Sequence, residues 1–205
     1  PIYKNADGQR ICGKIIATRQ RKKKRYYVRN GENLKGGEEL HFVMPIIDKC
    51  IIADIAGYLQ EKNERDYVLF CSGVYLGRRI SDILQYRVRD LKNKDYIEIP
   101  EQKTGDVVRL AINPHLKKIY RHYFVGKKDY EYVFRRSSGK ENKPISRVRA
   151  WQILNDAAEA VGYKDHIGCH SLRKTFAYWL YKDSGGDISM VQEILGHDDP
   201  CITRR

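Results

Sequence analysis

From Pro45 onward, apolar stripes alternate with short polar breaks, and their spacing predicts a mainly helical fold. Ile47, Ile51, Ile55 and Leu59 recur every four residues, with Ile52 beside them, as on one face of an amphipathic helix; the polar run from Gln60 to Arg65 ends it. Residues 67–75 are almost wholly apolar, which predicts a buried second helix. Gly77 breaks that helix, and Ser81 is placed to cap a third, with Ile80, Ile83 and Leu84 turned inward. Residues 96–99 and 107–112 alternate as strands, joined through the turn at residues 100–106, and predict a small antiparallel hairpin. Asn113-Pro114 opens a helix carrying Leu116, Ile119, Tyr120 and Tyr123. A short buried piece at residues 132–134 and a basic Ser/Gly loop at residues 135–143 follow. Pro144 and Ser146 then start a helix whose inward face is read as Val148, Trp151, Leu154, Ala158 and Val161, closed by Gly162. Leu172, Phe176, Trp179 and Leu180 mark the next helix. Beyond the break at Gly185-Gly186, Asp187 caps a last one with Ile188, Val191, Ile194 and Leu195, stopped by Gly196.

Residues 1–45 lack this periodicity. Ile11, Ile15 and Ile16, then Tyr26, Tyr27 and Val28, cluster between the turns Asn30-Gly31 and Gly36-Gly37, so short strands are expected there instead of helices. The division is therefore a strand- or loop-like N-terminal segment, 1–45, and one domain, 46–205. The fold class is α+β, mainly helical, with a small antiparallel sheet. No internal repeat or low-complexity tract interrupts it.

Charge adds a partner to this picture. Lys and Arg number 39 against 26 Asp and Glu, giving a net charge of +13 and a pI near 9.5. Such an excess favours a polyanion, and nucleic acid before membrane, since no long apolar span or basic amphipathic helix is present. Seven of the eleven residues 19–29 are basic (Arg19, Arg21, Lys22, Lys23, Lys24, Arg25 and Arg29). They read equally as an arm tracking phosphates or as a solvated loop. Arg147 and Arg149 flank Val148 and are candidates for a DNA backbone, or again for solvent. The five cysteines (Cys12, Cys50, Cys71, Cys169 and Cys201) are widely spaced and odd in number, which fits free thiols in a reducing compartment.

The candidate chemistry lies near the C-terminal end. His170 and Arg173, three apart on a helix, direct an imidazole and a guanidinium into one space. His197 follows the helix stop at Gly196. Two cation donors and a third donor at a helix end suit an anion with several oxygens to hold, and phosphate is the foremost candidate. A zinc site built from His166, Cys169, His170 and His197 lacks the spacing of ligand pairs. Cys169 next to His170 is a poor thiol–base pair, because adjacent side chains diverge. There is no P-loop.

HxxR at residues 170–173, followed by Leu-Gly-His at 195–197, resembles the catalytic boxes of the tyrosine recombinases, the phage-type integrases. The stretch from Gly77 to Leu91 resembles that family's first arginine box, with Arg79 at the active-site arginine, Asp82 at the following acid and Asp90 at the acid closing the box. Arg78 occupies a place where the family often has an apolar residue. Lys103, in the Lys-Thr-Gly turn of the hairpin, matches the family's hairpin lysine. The resemblance covers nearly all of residues 46–205. It implies an integrase-like catalytic domain and Arg79, Lys103, His170, Arg173 and His197 as catalytic residues. It implies double-stranded DNA as the partner, a homo-tetramer on that DNA, a cytoplasmic or nucleoid setting, and no cofactor or metal.

In the family a tyrosine attacks the DNA phosphorus, giving a 3′-phosphotyrosyl intermediate. It lies nine residues after the histidine of Leu-Gly-His, which is the position just beyond Arg205. None of the fifteen tyrosines present matches it, so the expectation is a chain ending immediately before its nucleophile. The family's helical DNA-clamping domain is likewise not expected within residues 1–45. A type IB topoisomerase and a non-cleaving DNA-binding regulator on the same fold are the alternative readings.

Overall fold

Local chain stops and caps fix where each helix begins and ends. In the computed structural model, residues 43–100, 107–137, 141–165 and 167–196 are described. Helix α1 (Lys49–Lys62) is capped by Asp48, whose Oδ1 accepts from Cys50 N at 2.8 Å. Asn63 then serves two helices. Its N–H donates to the Leu59 carbonyl at the end of α1, and its side chain accepts from Asp66 N at the start of α2 (Glu64–Leu76). The second helix thus starts a turn earlier than its apolar run suggests. Ile46, not Ile47, enters the core: Ile46 is fully buried while Ile47 is exposed ahead of α1.

Gly77 ends α2 in the left-handed region, φ 59°, where a side chain is strained. Helix α3 (Ile80–Gln85) follows, with Arg79 and not Ser81 at its N-cap and no side-chain cap there; the Ser81 hydroxyl donates instead to Asp82 Oδ1. Ile80, Ile83 and Leu84 are buried as expected. In the short α4 (Val88–Leu91), Asp90 Oδ2 accepts from Arg87 N at 2.8 Å. Strands β1 (Tyr96–Pro100) and β2 (Val107–Ala111) pair antiparallel in the register Tyr96 with Ala111 to Pro100 with Val107. Helix α5 (Pro114–Tyr123) starts on its Asn113 cap.

Helix α6 (Arg147–Ala160) departs from expectation. Ser146 caps it, but the buried face is Ala150, Ile153, Leu154, Ala157 and Ala158, whereas Val148 is 65% and Trp151 49% exposed. Val148 therefore does not face inward between Arg147 and Arg149. The helix is turned so that its alanines meet its neighbours, and small residues let helices approach closely. Helix α7 (Cys169–Asp183) packs on α2, α6 and α8 (Ile188–Leu195). At Gly73 and Gly77 an added Cβ would collide with Leu172 and Phe176, so α2 and α7 touch through their glycines. The core formed by α1–α7 and the sheet is continuous, and Leu69, Phe70, Leu76, Phe134 and Leu172 are among its fully buried side chains. No helix among the described residues is long and apolar enough to cross a membrane.

Candidate active site

The site forms where the Gly77 turn meets the first turns of α7. The segment ahead of α1 is pinned to α7: Ile46 N donates to Thr175 Oγ1 at 2.8 Å, and Trp179 Nε1 donates to the Ile46 carbonyl at 3.4 Å. Upstream of α7, Asn155 on α6 donates to the Ile167 carbonyl at 2.7 Å. Gly168 leaves no side chain to cap α7, and its N–H instead donates to Ser171 Oγ at 3.1 Å. The helix start is thereby held from three sides.

Arg173 is turned inward and is only 6% exposed. Its guanidinium donates to the Gly77 carbonyl at 2.8 Å and to the Leu195 carbonyl at the end of α8. One side chain thus ties the α2–α3 junction and the end of α8 to α7. Both of these partners are neutral acceptors. Burial, then the nearby guanidinium groups of Arg79 and Arg78, pull the Arg173 pKa down to about 10, against an opposing pull from Asp82. It stays cationic at neutral pH.

His170, one turn earlier, is an exposed residue at the same mouth. Burial of part of its ring, followed by the charges of Arg173, Arg147, Arg79 and Lys174, holds its pKa below the usual imidazole value. The neutral ring is therefore favoured, with one nitrogen able to accept a proton. The two arginines of the Gly77 turn are not equivalent. The Arg78 side chain is 14% exposed and folds back along α3 to Asp82, with Nη2 to Oδ2 3.6 Å. Its Nε is buried without a hydrogen-bond partner among the described residues. Arg79 is exposed, and its charge acts on both Arg173 and His170. The structure thus brings Arg79, His170 and Arg173 together.

Arg147 joins them. Sequence reasoning placed it only on a backbone-contacting surface, but the start of α6 lies against the start of α7, where Cys169 Sγ donates to the Arg147 carbonyl at 4.0 Å. Arg149 points elsewhere, into a separate basic cavity. Lys103, His166, His197, the basic run with Arg19, Arg21, Lys22, Lys23, Lys24 and Arg25, and the residues around Arg205 lie outside the described residues. Burial raises the Cys169 thiol pKa, which disfavours the thiolate a cysteine nucleophile needs. Among the described residues no group of His, Cys, Asp and Glu is placed to hold a metal ion. Arg79, Arg173 and His170 around one mouth make a receptor for an anion with several oxygens.

The model of the phage integrase family matches residues 46–205. The chain is 42% identical over 166 residues to "Probable integrase/recombinase YoeC" of Bacillus subtilis (strain 168), covering 81% of this chain and 90% of that protein. It is 30% identical over 139 residues to "Tyrosine recombinase XerD" of Mycobacterium leprae (strain TN), covering 62% of this chain and 43% of that longer protein. Among solved structures, XerA recombinase superposes with a TM-score of 0.64 at 18% identity, over 80% of this chain and 60% of that one. A lambda integrase dimer bound to a COC′ core site superposes with a TM-score of 0.60 at 15% identity, over 82% and 48%. At such identities the superpositions speak for the fold. Together with the family match over most of its length, they place the chain: it belongs to the phage integrase family of tyrosine recombinases.

Proposed function

We propose that this chain is the catalytic part of a site-specific DNA recombinase that cleaves and rejoins strands of duplex DNA. The observation carrying this reading is the buried Arg173, fixed by two main-chain carbonyls beside Arg79 and His170. Several cations gathered at one mouth are at their most favourable when an anion arrives.

In the proposed reaction a tyrosine hydroxyl attacks the scissile phosphorus, the bond to the 5′ oxygen breaks, and a 3′-phosphotyrosyl ester forms that conserves the bond for rejoining. Arg79 and Arg173 each fork onto the non-bridging oxygens, where charge grows in the pentacoordinate transition state. His170, neutral before the reaction, takes up the tyrosine proton or shares it with the phosphoryl oxygens. His197 adds a hydrogen bond, and Lys103 protonates the departing 5′ oxygen. The chemistry calls on no metal or cofactor.

The attacking tyrosine is assigned to the position following Arg205. The chain's own buried and half-buried tyrosines are poor candidates: burial raises the phenol pKa of Tyr67, Tyr75, Tyr86, Tyr120 and Tyr123, which works against forming the phenolate. Residues 46–205 form the catalytic domain in this proposal and residues 1–45, with their basic run, a DNA-contacting segment. The working assembly is a homo-tetramer on its DNA site in the cytoplasm or nucleoid. The test uses a suicide duplex that traps the covalent intermediate. The 205-residue chain should bind it and give no adduct on a denaturing gel, and a chain extended through the next residue and its native tail should give one. An adduct from the 205 residues alone would contradict the assignment, and no adduct from either would contradict the recombinase reading.

A further inference from the structure

The Gly77 turn carries two arginines, and the reaction proposed above uses one of them. Arg78 is left over. Its side chain is 14% exposed, and its Nε is buried with no hydrogen-bond partner among the described residues. Burying a guanidinium is unfavourable unless its donors are met, and a donor left unmet inside a folded chain calls for a reason. Packing alone gives none, since an apolar side chain of similar length would fill the same space without an orphaned N–H.

The reason lies in Asp82. Two arginines stand within helical reach of its carboxylate, Arg79 three residues back and Arg78 four. Asp82 takes Arg78, with Nη2 to Oδ2 3.6 Å, while its Oδ1 accepts from the Ser81 hydroxyl at 3.2 Å. Both carboxylate oxygens are thus engaged along α3. Tyr86, one turn further, shares this stripe: burial pushes its phenol pKa up, Arg78 pulls it back, and Asp82 and Asp90 add to the rise. The charges of Arg78 and Asp82 also reach Arg173, with opposite signs, so the pair sits against the active-site mouth. Without Arg78, the carboxylate would turn to Arg79, the other guanidinium within its reach. A carboxylate on Arg79 competes for the same fork that a phosphate oxygen needs.

We infer that Arg78 is a positioning residue for strand cleavage: it holds the Asp82 carboxylate along α3 and so keeps the Arg79 guanidinium open to the scissile phosphate. It touches no reacting atom and acts through Asp82. What Arg79 does there rests on the recombinase reading above, but the hold of Arg78 on Asp82 is testable without DNA.

That test is an NMR titration of His170 in the 205-residue chain. The cations facing His170 are Arg79 from the α2–α3 junction, Arg147 from α6, and Arg173 and Lys174 from α7; Arg78 and Asp82 are not among them. Arg78→Met keeps the length of the side chain and removes its charge. The freed carboxylate then offsets Arg79, and the His170 pKa should rise by about 0.5. Adding Asp82→Asn should return it to its starting value, because no carboxylate is left to move, and Asp82→Asn alone should leave it unchanged. Arg78→Lys keeps a charge within reach of Asp82 and should hold the value. Ser81→Ala loosens the carboxylate from its other side and should give a smaller rise; if Arg78→Met does not fold, an unmoved value in Ser81→Ala overturns the proposal.

A second arm uses the chain extended through the expected tyrosine. Arg78→Met should slow adduct formation on the suicide duplex about tenfold, a part of what losing a whole donor does, with duplex affinity within about twofold. Arg78→Lys should recover most of the rate. Arg89→Met, which removes an equal charge from the exposed surface of α4, should change neither. A His170 pKa unmoved by Arg78→Met, a rise that persists when Asp82→Asn is added, or rate and affinity falling together would overturn the proposal. No adduct from the unaltered extended chain would overturn the recombinase reading instead, and the His170 titration would still decide whether Arg78 directs Asp82.

Discussion

Putting a guanidinium beneath packed helices costs solvation that fixed acceptors offset, and at Arg173 those acceptors include the carbonyls of Gly77 and Leu195. Gly77 therefore has three tasks at one position: it turns the chain at φ 59°, leaves room for Phe176, and aims its carbonyl at Arg173. Gly77→Ala should cost about 2–4 kcal/mol, from the left-handed backbone and from overpacking. Urea unfolding would measure it, and a loss under about 0.5 kcal/mol would contradict the packing described. His170 supplies a second test at this scale. Its folded pKa lies below the ordinary value of about 6.5, so the unfolded chain binds the proton more readily. Its contribution to stability is accordingly present above pH about 6.5 and is lost as pH falls through the folded value. An NMR titration should place the imidazole below 6.5 in the free chain and higher once a duplex brings phosphate to the mouth. A free-chain value above 6.5 would mean that the neighbouring cations do not act on it.

At the scale of elements, α6 and α7 decide the site's shape, and α6 is where periodicity misleads. Val148, Trp151, Leu154 and Ala158 keep helical spacing, yet the buried face is turned toward Ala150, Ile153 and Ala157. Leu154→Ala should cost about 2–5 kcal/mol, whereas Val148→Ala should change stability by no more than about 0.5 kcal/mol. Equal costs in thermal or urea unfolding would restore the face read from sequence. The physical reason for the misreading is that side-chain size and inward orientation were treated as one property. Where helices approach closely, small residues belong inside and large apolar ones are left at the surface. Elsewhere the elements were legible: the α1 stripe from Ile51 to Leu59, the β1–β2 alternation, the helix opened by Asn113-Pro114, the Asp187 cap and the stop at Gly196 all stand in the structure. So was the convergence of His170 with Arg173, since three-residue spacing on a helix settles it. Arg79 joined them only through family resemblance, because no local pattern brings residue 79 to residue 173. The main-chain carbonyls that hold Arg173 could not be read from side-chain identities at all. Ser81 was mistaken for a cap because its type is right, although the helix begins one residue after Arg79.

The whole molecule is a polycation of net charge +13, and the attraction to DNA proposed for that charge is separate from the role proposed for the active-site mouth. The excess charge acts through many weak contacts that salt screens over about 10 Å at 0.1 M. In the proposed reaction the Arg79–Arg173 pair acts on one phosphorus, and most strongly when extra charge develops there. A protein that merely holds DNA needs the first property and gains little from an arginine buried and fixed by main-chain carbonyls. The most direct measurement is therefore the rate of covalent adduct formation on a suicide duplex, made alongside its equilibrium binding, for Arg173→Ala and Arg79→Ala in the chain extended through the expected tyrosine. Loss of a transition-state donor should slow adduct formation by about 10²–10³ while duplex affinity falls only several-fold, a few tenths of that effect in free energy. Unchanged adduct rates, or affinity falling in parallel with rate, would show that these arginines only hold DNA, and would contradict the account.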